Sequence, residues 1–135
     1  MLTIKKTDLQ SIYAHCNREY PNEACGILAG YDGKAERVYH MVNAKPSRSY
    51  YFMDPQEQFK VMKEMRQEGL DLVGIYHSHT ASRAYPSPTD IRLAYYSGAV
   101  YLIIALTDRR NPLVRGFTIV DERITEVSLD VIAEA

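Results

Sequence analysis

Two histidines stand two residues apart at the end of an apolar run, Leu72-Val73-Gly74-Ile75-Tyr76 followed by His77-Ser78-His79. Along an extended strand, side chains at i and i+2 share one face. Both imidazoles then point the same way and can grip one metal ion. Ser87 and Asp90 follow shortly after, and they offer a hydroxyl and a third ligand. Two imidazoles and one carboxylate leave a coordination position open to water. That is the pattern of a catalytic zinc site rather than a closed structural one. Imidazole also suits other first-row metals. Zinc in such a site brings the pKa of water down towards roughly 7, so hydroxide becomes available at neutral pH.

Hydrolysis further needs a base that carries a proton from the water to the leaving group. Glu19, Glu23, Asp32 and Glu36 are all candidates. Glu23 stands out because it opens the apolar run Ala24–Ala29, and an acid at the edge of a buried strand loses hydration, which raises its pKa. The competing reading is a solvated acid at a strand entrance. Ser87 also has two possible jobs, capping a helix or donating to an oxyanion. One hydroxyl can do both, accepting from a backbone N–H and donating elsewhere. His15 and His40 lack such company and read as ordinary surface or boundary residues. Arg83 reads as a solvated loop residue, within reach of a substrate by its place between His79 and Ser87.

These residues need elements to position them. Leu2-Thr3-Ile4 reads as a first strand. Thr7 or Asp8 can cap a helix with Leu9, Ile12, Tyr13 and Cys16 at helical spacing, ended by Pro21. Ala24–Ala29 is a buried strand, Asp32-Gly33 a tight turn, and 36–42 the returning strand. Tyr50–Met53 is a short extended piece. Asp54-Pro55 starts a helix with Phe59, Met62 and Met65 on its apolar face and Gly69 at its end. Leu72–His79 is the strand that bears the histidines. Ser87-Pro88-Thr89-Asp90 repeats the start signal, and Ile91, Ala94 and Tyr95 continue that helix. Residues 99–106, 113–120 and 123–129 read as three more strands, with turns at Asn111-Pro112 and Asp121-Glu122. The fold class is α/β, in one domain over residues 1–135.

Composition narrows the function. Apolar residues make up 46% and charged residues 24%, the usual globular balance. A net charge of −1 and the absence of a Lys/Arg-rich block give no reason to expect nucleic acid or an anionic membrane as partner. No stretch approaches the ~20 apolar residues of a membrane span. Residues 1–20 mix charges among apolar positions, unlike a secretory signal, so the expected location is the cytoplasm. Cys16 and Cys25 form no Cys-x-x-Cys and no disulfide framework. They read as reduced thiols, at least one of them in the core. The 11 tyrosines include the pairs Tyr50-Tyr51 and Tyr95-Tyr96, each able to place one ring in the core and one at its rim.

The spacing Glu23, His77-Ser78-His79, seven residues, Ser87, two residues, Asp90 resembles the motif of the JAMM (MPN+, Mov34/PAD-1) metalloproteases at every position. Pro21-Asn22-Glu23-Ala24-Cys25-Gly26 also resembles that family's Pro-x-Glu-x-x-Gly. So does Tyr51-Phe52-Met53-Asp54-Pro55 its lead-in to the middle helix. The resemblance implies a mixed β-sheet flanked by helices, of cytidine deaminase-like architecture. It implies one Zn²⁺ per chain held by His77, His79 and Asp90, with Glu23 as general acid/base and Ser87 as oxyanion donor. The implied reaction is hydrolysis of an amide or isopeptide bond at the Gly-Gly tail of a ubiquitin-like protein. Residues 76–94 look most like the bacterial branch, which removes cysteine or other adducts from small sulfur-carrier proteins of the ThiS/MoaD/CysO type. Thr80 replaces the Pro that many eukaryotic relatives carry, which weakens a carry-over of polyubiquitin specificity. The alternative is a non-catalytic MPN-type scaffold that binds a ubiquitin-like partner. A zinc deaminase would need His-x-Glu and Pro-Cys-x-x-Cys, and the chain has neither.

Overall fold

The structure is a computed structural model that describes residues 1–133. Its elements in chain order are β1 (Leu2–Lys5), α1 (Lys6–Glu19), β2 (Cys25–Tyr31), β3 (Lys34–Met41), α2 (Pro55–Gln67), β4 (Asp71–His79), α3 (Pro88–Arg92), β5 (Val100–Ala105), β6 (Leu113–Val120), β7 (Arg123–Val127) and β8 (Leu129–Ile132). The strands make one mixed eight-stranded sheet in the order β7-β6-β5-β4-β2-β3-β1-β8. β4 lies inside it, antiparallel to β2 and parallel to β5. Only Ser128 separates β7 from β8, yet these strands occupy opposite ends of the order. The sheet therefore curls until its two edges approach each other.

Alternation along each strand divides the core in two. Leu9, Ile12 and Cys16 of α1 pack with Leu28, Tyr76, Leu102 and Ile104 on one face. Met65 of α2, joined by Val61 and Met62, packs with Ile27, Ile75 and Tyr101 on the other. A register shift against β2 reverses the faces at Leu72 and Val73. From Ile75 onward the odd-numbered residues of β4, His77 and His79 included, face the α2 side, and Tyr76 faces α1. The β2–β3 hairpin turns through Asp32 and Gly33, both at positive φ (53° and 73°), as a turn matched to the twist of its strands requires.

Four expectations need correction. α1 begins at Lys6, straight out of β1, with Lys5 at the N-cap and no side-chain cap. Phe59 is 65% exposed; it lies on the outer side of α2, where the apolar spacing ran wider than the buried stripe. α3 spans five residues and is capped at Leu93, so Tyr95 lies outside it and is exposed. The expected strand 123–129 stops at Val127, and β8 is a separate strand paired in parallel with β1. Of Tyr50–Met53, only Met53 pairs, in an isolated bridge to Asn43. Among the described residues no helix is long and apolar enough to cross a membrane.

Candidate metal centre

The strand alternation that put His77 and His79 on one face is realised at the end of β4. Their Nε2 atoms lie 3.1 Å apart. Asp90 Oδ2 lies 3.2 Å from His77 Nε2 and 2.9 Å from His79 Nε2. These three atoms form a near-equilateral triangle. Donors held about 2.0–2.1 Å from a tetrahedral zinc are separated by roughly 3.3 Å, so the triangle has the size of one face of such a polyhedron. Both histidines are buried. A set of two imidazoles and a carboxylate suits zinc chemically as well.

Local structure fixes each of the three side chains. His79 Nδ1–H donates to the Arg83 carbonyl at 2.8 Å, so that in the neutral ring Nε2 carries no proton and is aimed at the cluster, whereas in the charged ring it donates to Asp90. The Tyr51 ring lies against the His77 ring, with centroids 4.8 Å apart and an interplanar angle of 30°. Asp90 is held by a capping box. Ser87 Oγ accepts from Asp90 N at 3.1 Å, and Asp90 Oδ2 accepts from Ser87 N at 2.9 Å. The same carboxylate oxygen thus caps α3 and faces both imidazoles. Burial disfavours ionised Asp90, but His77 and the hydrogen bonds from His77, His79 and Ser87 outweigh it and hold the carboxyl well below the usual range. Burial likewise pulls His79 down, and the Asp90 and Arg83 hydrogen bonds outweigh that too, leaving it raised.

Glu23 sits just before β2 and is 3% exposed. Burial pushes its carboxyl up to about 8; His79 opposes this and Asp90 adds to it, so the carboxyl feels both side chains. Its Oε1 has no hydrogen-bond partner. The neighbouring backbone is locked to β4, for Ala24 N donates to Ser78 Oγ at 2.8 Å and Ser78 N to Ala24 O at 3.1 Å.

The family described as prokaryotic homologues of the JAB domain matches residues 5–118. The chain belongs to this family. As a JAB-domain protein it is 39% identical over 136 residues, 99% of its length and 93% of the relative's, to the CysO-cysteine peptidase of Mycobacterium tuberculosis (strain H37Rv). It is 40% identical over 95 residues to a probable TtuB-protein conjugate cleaving protease of Thermus thermophilus, covering 70% of this chain and 64% of that one. The solution structure of protein DSY2949 from Desulfitobacterium hafniense matches it with a TM-score of 0.90 at 38% identity, over 99% of this chain and 94% of that chain.

Around the centre of this JAB-domain chain lies Asn43, which sequence reasoning passed over, among residues that it weighed. Asn43 hydrogen-bonds the Glu23 carbonyl, and Thr80 Oγ1 donates to the Arg48 carbonyl at 2.9 Å. Arg83 is exposed, with its guanidinium 4.8 Å from the Tyr85 ring centroid. Cys16 and Cys25 are free and both buried. The largest correction concerns His15; His40 is exposed, as expected, yet shares its partner. Both Nδ1 atoms lie 2.6 Å from Tyr76 Oη, on the side of β4 away from His77, and Ser11 Oγ is 2.8 Å from His40 Nε2. His15 is buried; it falls three residues after Ile12, on the stripe that α1 turns to the sheet.

Proposed function

We propose that this protein is a zinc-dependent peptidase. It cleaves the amide bond that follows the C-terminal Gly-Gly of a small ubiquitin-like or sulfur-carrier protein, with cysteine among the groups released. The observation that carries the reading is the triangle of His77 Nε2, His79 Nε2 and Asp90 Oδ2 beside a buried carboxyl with an unpartnered oxygen. The names of the Mycobacterium and Thermus relatives, a peptidase and a conjugate-cleaving protease, support the same class of reaction. A scaffold would gain nothing from burying Glu23 unpaired, because an unsatisfied buried polar group costs on the order of 1–3 kcal/mol.

His77, His79 and Asp90 would hold the ion. Bound there, zinc supplies Lewis acidity, which acidifies water and polarises a carbonyl oxygen. Glu23 accepts a proton from the attacking water and passes it to the departing amine. Its burial gives the carboxyl a high proton affinity, and the nearby cation lowers that affinity into the working range. Ser87 spends a lone pair on Asp90 N and keeps its own O–H proton, which it donates to the oxyanion. His79 is held in one tautomer by the Arg83 carbonyl.

The test incubates the protein with small β-grasp carrier proteins extended by one amino acid after Gly-Gly, with and without chelator, and reads the products by mass spectrometry. Trimming back to Gly-Gly that stops with chelator and returns with Zn²⁺ is the expected result. Hydrolysis indifferent to chelator, or none on any carrier, overturns the reading.

A further inference from the structure

Asn43 lies two residues past the end of β3 and is 6% exposed. Its carboxamide uses both donor protons and both acceptor lone pairs. Nδ2 donates to the carbonyls of Glu23 (3.0 Å) and Tyr50 (3.3 Å). Oδ1 accepts from the N–H groups of Lys45 (3.2 Å) and Phe52 (2.9 Å). Tyr50 and Phe52 flank Tyr51, whose ring packs on His77. Glu23 N–H donates to the Ser47 carbonyl at 2.7 Å. The segment 43–53 therefore holds Glu23 by both of its backbone groups and carries the ring that braces a ligand. Among the described residues, Asn43 is the one side chain that ties these two functions together.

The Glu23 carboxyl itself is held by little, since its Oε1 has no hydrogen-bond partner. Its place is set by the backbone behind it. A displacement of about 1 Å in a reacting group is enough to cost roughly a hundredfold in rate. We infer that Asn43 is a positioning residue: it fixes the Glu23 carboxyl relative to His77, His79 and Asp90 without touching substrate. This rests on the role given to Glu23 above. Asn43→Asp keeps the shape and the acceptor, removes both donors, and turns a carboxylate oxygen towards two carbonyls.

The experiment compares Asn43→Asp in the native and the Glu23→Gln backgrounds, using the Gly-Gly-extended carrier that the native protein trims. In the native background kcat falls about tenfold or more, KM stays within about twofold, and zinc per chain is unchanged. In the Glu23→Gln background the same substitution changes the residual rate by less than about twofold. Equal losses in both backgrounds, or a raised KM with kcat intact, overturn the inference. Crystal structures of the zinc-loaded native protein and Asn43→Asp give an answer independent of turnover. The Glu23 carboxyl moves by about 1 Å while the three ligand atoms stay in place; an unmoved carboxyl overturns the inference. If the native protein hydrolyses nothing, the proposed function fails, and the crystallographic comparison still decides the role of Asn43. If Asn43→Asp does not fold, Asn43→Ser carries the same comparisons.

Discussion

Ser87 and Asp90 cap each other. The Ser87 hydroxyl accepts from the Asp90 amide, and the Asp90 carboxylate accepts from the Ser87 amide. Because that carboxylate oxygen also lies 2.9 Å from His79 Nε2, the start of α3 and the proposed ligand set are one structure. Ser87→Ala removes the cap acceptor and the proposed oxyanion donor together. It should cost about 1 kcal/mol of stability and about 10²–10³ in kcat. Thermal melting and steady-state kinetics check this. Ser87→Thr should restore most of the stability.

Asp90→Asn keeps a carbonyl oxygen to accept from Ser87 N but gives up the negative charge. The capping bond survives, and the attraction between carboxylate and imidazoles is lost. Elemental analysis after dialysis should show less than half the zinc per chain of the native protein, with circular dichroism unchanged. His77→Ala should behave likewise. Undiminished stoichiometry in both variants contradicts the ligand assignment.

Glu23→Gln should retain zinc and lose roughly 10²–10⁴ in turnover. It should also change how stability depends on pH in metal-stripped protein. Burial raises the folded-state pKa of Glu23 to about 8 from an ordinary value of 4.5. Across that window the unfolded chain releases a proton that the folded chain keeps. The stabilisation is complete below pH 4.5 and is lost as the pH rises through 8, by up to a few kcal/mol. Urea unfolding at pH 5 and pH 8.5 should show this loss in the native chain and little of it in Glu23→Gln.

His15 works in the opposite sense. Burial above all, then His40 and Arg18, lowers its pKa from 6.5 to about 4. The folded chain keeps His15 neutral where the unfolded chain takes up a proton. Stability falls as the pH drops through that window and levels off below it. His15→Gln should flatten the difference between urea midpoints measured at pH 7 and pH 4.5.

Gly26 sits beneath Tyr76. A Cβ at this position would fall 1.9 Å from Tyr76 Cε2, so Gly26→Ala must displace the ring that both His15 and His40 hydrogen-bond. We expect a loss of on the order of 1–3 kcal/mol, or more, from overpacking. Denaturant unfolding measures it.

The site was legible in the sequence because its main geometry is local. The period of two in β4 puts His77 and His79 on one face, and the Ser87–Asp90 start signal places a carboxylate at a helix entrance. The rest depended on contacts between distant segments. Asn43 and Tyr51 lie in a stretch with no regular period, and their roles appear only when that stretch folds across Glu23 and His77. His15 meets Tyr76 across 61 residues, although its place next to Ile12 was a signal that the helical spacing offered. The break at Ser128 was hidden because apolar and polar residues keep alternating through it, while the chain leaves one end of the sheet for the other. Length was misjudged in α3, where Ala94 and Tyr95 continued the period after the backbone had turned away at Leu93.

The three proposed ligands are anchored with very different firmness. Two stand on a strand paired on both sides in the middle of the sheet. The third stands on a helix of five residues. Fluctuations that open a single exposed turn are far more frequent than those that part a central strand. A bound ion would therefore escape by the carboxylate door, at a pace set by fraying around Asp90. Emptying and reloading would then leave the rest of the fold intact.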